Sequence, residues 1–476
     1  MLFNSFNFVI FFVIVTSLYF ALPQKFRWIL LLSASCYFYM VFVPVYILIL
    51  GFTIVIDYFA GIFLEKTQGK KRKWFLVASL IANIGVLSIF KYYNFLNENL
   101  TAFLHGAGYE NPIPYLSIIL PIGLSFHTFQ AMSYTIEVYR GKQKAERNFG
   151  IYALYVMFWP QLVAGPIERP QNLIHQFYEK HEFDYDRVVD GLKLMLWGFF
   201  KKLVIADRLA IYVNAVYNNA DQHNGVTLLT ATIFFAFQIY CDFSGYSDIA
   251  IGAARVMGFT LMTNFRRPYF STSISEFWKR WHISLSTWFR DYLYISLGGN
   301  RVPVPRWYIN LMLVFLISGL WHGANWTYVI WGGLNGLYLV SAVVLQPLKD
   351  RFDRFTRLNR FPVADRLIQI LFTFTLTCFA WIFFRANNVD QAFSIARKIF
   401  RFEGPLYYEE ISLMLMSFLS IIFLVAVETK KEYFGGRISF FNNSSWVVRN
   451  LSYAFLIIII LLAGVFDGGQ FIYFQF

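Results

Sequence analysis

Two Trp-His pairs, Trp281-His282 and Trp321-His322, are the residues of this chain best suited to chemistry. Imidazole has its ordinary pKa near neutrality, so it can take up a proton and give it back within one reaction cycle. The first pair lies in a charged, aromatic stretch, and the second lies where two apolar runs meet. A protein this oily has little reason to place a titratable group at either position unless the group works. An enzyme acting inside a bilayer is the first expectation.

His322 sits in Ser318-Gly319-Leu320-Trp321-His322-Gly323-Ala324-Asn325-Trp326, with glycines on both sides of the ring, where one helix should stop and another begin. Asn325 can cap the second helix, and Gly332 with Gly336 gives the small-xxx-small spacing that lets membrane helices approach closely. His282 falls in a stretch, 273 to 292, that reads as one amphipathic helix. Ile274, Phe277, Trp278, Trp281, Leu285, Trp288, Phe289 and Tyr292 keep to one face, and His282 joins them. Ser273 and Glu276 fit a capping box at its start. Periodicity alone allows a structural histidine on an interfacial helix here, and His322 could likewise bridge two helix ends.

Asp242 and Asp248 flank Gly245 inside another apolar crossing. A carboxylate at that depth costs roughly 2.5–3.5 kcal/mol unless paired. Arg255, two helical turns beyond Asp248 on the same face, offers a structural ion pair. His127 reads as structural, and His105, His175, His181 and His223 fall in loops. Cys36, Cys241 and Cys378 lie unpaired in apolar segments, so no disulfide framework and no metal site is expected. No nucleophile elbow, phosphate loop or dinucleotide fingerprint is present in the sequence.

The elements that must hold these groups follow from composition. Of 476 residues, 57% are hydrophobic and only 14% charged, against roughly a quarter charged in soluble domains. The chain is therefore expected to be all-α and polytopic. Its net charge of +13 sits in short clusters, such as Lys70-Lys71-Arg72-Lys73, Arg140 to Arg147, and Arg351 to Arg360. That is the pattern of cytoplasmic loops facing anionic lipid, and it argues against nucleic acid as a partner.

About eleven spans are expected, drawn from apolar stretches near 6–22, 27–43, 45–63, 74–91, 115–136, 191–217, 226–259, 308–320, 326–345, 367–384, 408–427 and 446–466. The 92–113 segment should lie outside. The 151–164 stretch, with Trp159-Pro160-Gln161, should be re-entrant, and the 226–259 crossing should break around Asp242 to Gly245. Residues 264–308, rich in arginine, belong on the cytoplasmic side, which leaves His322 recessed from the cytoplasm and the tail 471–476 outside. Three regions result: N-terminal helices over 1–114, a core over 115–345, and C-terminal helices over 346–476.

Five blocks then carry a resemblance. They are PIGLSFHTFQAMSYTIEVYRG from Pro121, FWPQLVAGPIERP from Phe158, QIYCDFSGYSDIAIGAARVMGF from Gln238, NFRRPYFSTSISEFWKRWHISLSTWFRDYLYISLGGNR from Asn264, and SGLWHGANWTYVIWGGLNG from Ser318. Together they resemble the membrane-bound O-acyltransferase superfamily, in its bacterial branch that includes alginate O-acetylation and teichoic-acid D-alanylation proteins.

The resemblance implies a many-helix fold around a central tunnel, with His322 as the catalytic histidine and His282 at the second position. Trp321, Asn325 and Asp242 would support them. It further implies acetyl transfer from a cytoplasmic thioester, acetyl-CoA or another, to an extracytoplasmic polysaccharide, with no bound cofactor. Arg266, Arg267, Lys279 and Arg280 could draw in an anionic donor, although loop charge alone explains them equally well. An extracytoplasmic acetyltransferase of the SGNH type is the implied partner, and the bacterial cytoplasmic membrane the implied location. The competing classes are D-alanyl or other acyl transfer from a carrier protein, a transporter or flippase of an acylated lipid or glycan, and a scaffold.

Overall fold

A computed structural model describes the chain except residues 118–119, 164, 357–359, 436–442, 444 and 467–476. The tail 471–476 and Arg357 lie outside the described residues. Helices make up the regular structure, and no strand occurs among the described residues. Eight helices are long and apolar enough to cross a membrane, and Phe6–Ala21 is a shorter apolar one. The protein is an all-α, multi-pass membrane protein.

The chain divides into two compact units, Met1–Trp197 with Tyr246–Met262, and Gly198–Gly245 with Thr263–Phe476. In the first, the Tyr46–Lys66 and Gly69–Leu87 helices are joined by a buried polar cluster. Ser79 Oγ and Asn83 Nδ2 donate to the Asp57 carboxylate at 2.6 and 2.8 Å, which is how a carboxylate is tolerated there. The Phe149–Met157 helix ends before Trp159-Pro160, as proline and glycine predict. Trp159 is then buried against the edge of Phe11, 5.3 Å away.

The second unit holds both Trp-His pairs. The Val304–His322 and Trp326–Val344 helices are joined by three residues and pack along their length. Gly332 does support close approach, with Gly319 as its main counterpart. A Cβ added to Gly319 would lie 2.2 Å from the Tyr328 carbonyl oxygen, and one on Gly332 would lie 2.2 Å from that of Phe315. Gly336 faces Met312. The Pro362–Arg385 helix brings Trp381 and Phe384 against this pair.

In the 92–113 segment a π turn at Ser88–Tyr92 leads into a further helix, Tyr93–Gly106. Two sequence expectations are corrected. The Gly225–Met257 helix runs unbroken for 33 residues. Gly245 there serves packing, since a Cβ would meet the Gly198 carbonyl oxygen at 2.9 Å. Residues 273–292 are not one helix. Ile274–Arg280 stops, His282 turns left-handed, and Ile283–Trp288 starts anew before a π turn at Phe289–Tyr294.

Candidate active site

His322 is the last residue of its helix and is 4% exposed. Its ring is walled by aromatic neighbours, edge-on to Trp331 and Trp321 at 4.9 Å each and to Phe384 at 5.5 Å. Such walls exclude water and strengthen whatever polar contact forms between them. Gly323 follows because a Cβ there would lie 2.1 Å from the Tyr328 ring. Asn325 caps the next helix, its Oδ1 accepting from the Thr327 backbone N at 2.9 Å.

His282 is wholly buried, with φ at 42°. Residues in sparsely populated backbone regions cost about 1–3 kcal/mol and persist where their surroundings hold them. Here the surroundings are a closed loop. Asn264 accepts at its carbonyl from Ile283 N at 2.9 Å, and Arg280 accepts from Arg266 N at 2.9 Å. Those bonds break the expected helix at Trp281-His282. The capping at its start is also modified: Ser273 Oγ accepts from Glu276 N, but the Glu276 carboxylate reaches Thr272 instead of Ser273.

The His282 ring stands edge-on to Phe243 at 4.5 Å, and its Nδ1 meets Asn264 Oδ1 at 3.2 Å. Burial holds its pKa down at about 3, so the ring is neutral at any physiological pH. Trp321 touches both imidazoles, 4.9 Å from His322 and 6.4 Å from His282. A row of indoles, Trp281, Trp381 and Trp331, spaced 5.2 and 5.8 Å, runs from one histidine's neighbour to the other's. The two pairs, 40 residues apart in sequence, therefore belong to one aromatic cluster.

Asp242 is buried and paired with Lys202, 2.7 Å away, which also binds Asp207 at 2.7 Å. The expected Asp248–Arg255 pair does not account for this region, because Arg255 is exposed and has no ion pair among the described residues. Lys201 Nζ donates to Ser244 Oγ at 2.8 Å. Both lysines lie in a π turn, Phe200–Ala206, a feature common at functional sites. Asp242 and Ser244 flank Phe243, so the lysines grip the stretch that touches His282.

Of the four basic residues, Arg267 and Arg280 are held by carboxylates. Arg267 Nε meets Glu432 at 2.5 Å, while Arg280 meets Glu432 at 2.9 Å and Glu276 at 2.7 Å. Arg266 and Lys279 are exposed and carry no ion pair among the described residues. No cluster of three or more His, Cys, Asp or Glu suited to a metal occurs among the described residues.

Residues 147–384, which include both histidines, match the sequence profile of MBOAT, the membrane-bound O-acyltransferase family. A protein of Azotobacter vinelandii named probable alginate O-acetylase is 40% identical over 407 residues, covering 84% of this chain and 78% of that protein. The chain belongs to the membrane-bound O-acyltransferase family. The peptidoglycan O-acetyltransferase of Helicobacter pylori is 35% identical over 402 residues, 79% of this chain and 74% of its own length. The teichoic acid D-alanyltransferase of Bacillus subtilis is 27% identical over 288 residues, 57% of this chain and 70% of its own.

Membership makes the protein a membrane-bound acyltransferase. Several residues around the histidines were not singled out in the sequence: Asn264, Phe243, Trp331, Trp381 and Phe384, with Lys202 beside Asp242. Asn264, Phe243 and Trp331 lie within the blocks that carry the resemblance, and Lys202 is one of two lysines interrupting an apolar run.

Proposed function

We propose that this membrane-bound O-acyltransferase moves an acetyl group from a cytoplasmic thioester to a hydroxyl of an extracytoplasmic polysaccharide, with His322 as general base. The observation that supports this most is the placing of His322 at the joint of two apolar helices, against Trp321, which also touches His282. The alginate and peptidoglycan O-acetyl-transferring relatives favour acetyl over other acyl groups.

In the proposed reaction His322 takes the proton of the acceptor hydroxyl as its oxygen attacks the thioester carbonyl. The tetrahedral intermediate collapses with loss of the C–S bond, and the departing thiolate takes the proton back from the imidazolium. Proton transfer by a positioned imidazole contributes roughly a hundred- to ten-thousandfold. Trp321 and Asn325 hold the ring's position, and Asp242 with its lysine holds the helix beside His282. A central tunnel reaching both faces admits the donor, and Arg266 and Lys279 are the cations best placed to attract it. An SGNH-type partner outside the cytoplasmic membrane completes delivery to the polymer. The core over 115–345 carries the chemistry, between helical regions at 1–114 and 346–476.

The test uses purified protein in liposomes with isotopically labelled acetyl-CoA and a soluble carbohydrate acceptor. Loss of transfer in His322→Ala, with unchanged abundance and detergent melting, supports the general base. Full transfer in that variant excludes it. Preference for a carrier-bound D-alanyl thioester would favour the chemistry of the D-alanyltransferase relatives.

A further inference from the structure

Asn264 is completely buried and is tied to the loop it closes through both its backbone and its side chain. Its Oδ1 accepts from the Ser284 hydroxyl at 2.9 Å, from the Ser284 backbone N at 3.3 Å, and faces His282 Nδ1 at 3.2 Å. The two ends of an asparagine amide are easily exchanged, so the partners must decide which end points inward. A backbone N–H can only donate. The atom opposite Ser284 N is therefore the amide oxygen, not the amide nitrogen.

That fixes the neighbouring ring. An amide oxygen offers no hydrogen, so His282 Nδ1 must supply one, and a neutral imidazole carries only one. We infer that Asn264 is a positioning residue that locks His282 in the Nδ1–H tautomer, which leaves the lone pair on Nε2. This rests on the reading of His282 as part of the transfer site, and it narrows what His282 can do there. In that form Nε2 can only accept a hydrogen bond, from an N–H or O–H donor. It does not donate to the oxyanion of the tetrahedral intermediate, a task that needs hydrogen on Nε2.

The experiment is 15N NMR of histidine-labelled protein in detergent, with the His282 signals assigned by their loss in His282→Asn, run alongside turnover of acetyl-CoA. Wild type should show the proton on Nδ1 and Nε2 bare. Asn264→Leu, which removes the acceptor, should give a tautomer mixture and lower kcat at least tenfold with KM for the donor changed less. Asn264→Asp keeps an acceptor oxygen and should retain the Nδ1–H form, with kcat above that of Asn264→Leu.

A proton on Nε2 in wild type, or an unaltered tautomer in Asn264→Leu, overturns the assignment. The wild-type spectrum decides even where the leucine variant fails to fold. Full turnover in His282→Asn, with the wild-type ring still in the Nδ1–H form, would support the tautomer assignment and remove His282 from the transfer reaction.

Discussion

Gly319 and Gly332 stand back to back across the helix pair that meets at His322, where a Cβ on either would lie 3.2 Å from the Cα of the other. The nearer obstacle is backbone carbonyl oxygen, at 2.2 Å in both cases, which no side-chain rotation can relieve. Room for a methyl group therefore has to come from moving the helices apart, at about 1–3 kcal/mol for overpacking. Because His322 lies three residues from Gly319, that movement displaces the ring. Gly332→Ala should lower detergent melting and reduce acetyl transfer more than tenfold. Gly333→Ala is the control, since its Cβ would make an ordinary 3.5 Å contact with Leu316. Equal activity in the two variants would show that the close approach does not position His322.

Lys202 lies between two buried carboxylates, Asp207 and Asp242, 2.7 Å from each. Removing one partner of a buried ion pair is more damaging than removing the whole set, because the remaining charge has lost its compensation. Lys202→Met should cost about 3–5 kcal/mol on that account. Adding Asp207→Asn and Asp242→Asn to it should recover much of the loss. Thermal melting in detergent across this series checks the order, and a triple variant no more stable than Lys202→Met would assign the loss to something other than stranded charge.

The legible part of this protein was its oiliness and its motifs. Apolar runs gave nearly every long helix, because a bilayer requires continuous backbone pairing and that requirement is written as length and hydropathy. Asn325 as a cap and the proline at 160 as a stop were visible for the same reason: each acts on its own neighbours. What could not be read is set by distant residues. The helix break at Trp281-His282 depends on Asn264 and Arg266, and the unbroken crossing through Gly245 depends on Gly198 and Lys202. A three- or four-residue periodicity carries no record of such partners. The two histidines were evident singly, whereas Trp321 touching both was not.

The depressed pKa of His282 has a definite pH signature. Its folded value of about 3 lies below the ordinary 6.5, so the unfolded chain binds more protons between those limits. The stability contributed by the neutral ring is complete above about pH 6.5 and is lost as pH falls toward about 3. His282→Asn removes the titration, and asparagine tolerates the left-handed backbone at this position. The difference in melting temperature between wild type and this variant should therefore shift against wild type between pH 6.5 and 4.5. A difference independent of pH would show that the ring is not held neutral by burial. For the same reason any acidic limb of the transfer rate near neutrality belongs to another group.

Charge at the donor side should separate by how each cation is already used. Arg267 and Arg280 are committed to Glu432, so Arg267→Gln should act mainly on stability. Arg266 and Lys279 are exposed, where a single charge contributes about 0.2–1 kcal/mol and is screened over roughly 8–10 Å at physiological salt. Arg266→Glu with Lys279→Glu should thus raise KM for acetyl-CoA several-fold at low ionic strength, leave kcat within about twofold, and lose the effect as salt is added. Initial rates against donor concentration at two salt levels measure all three. A reversed pair with unchanged KM at low salt would mean that these charges serve topology alone, and that the donor enters elsewhere.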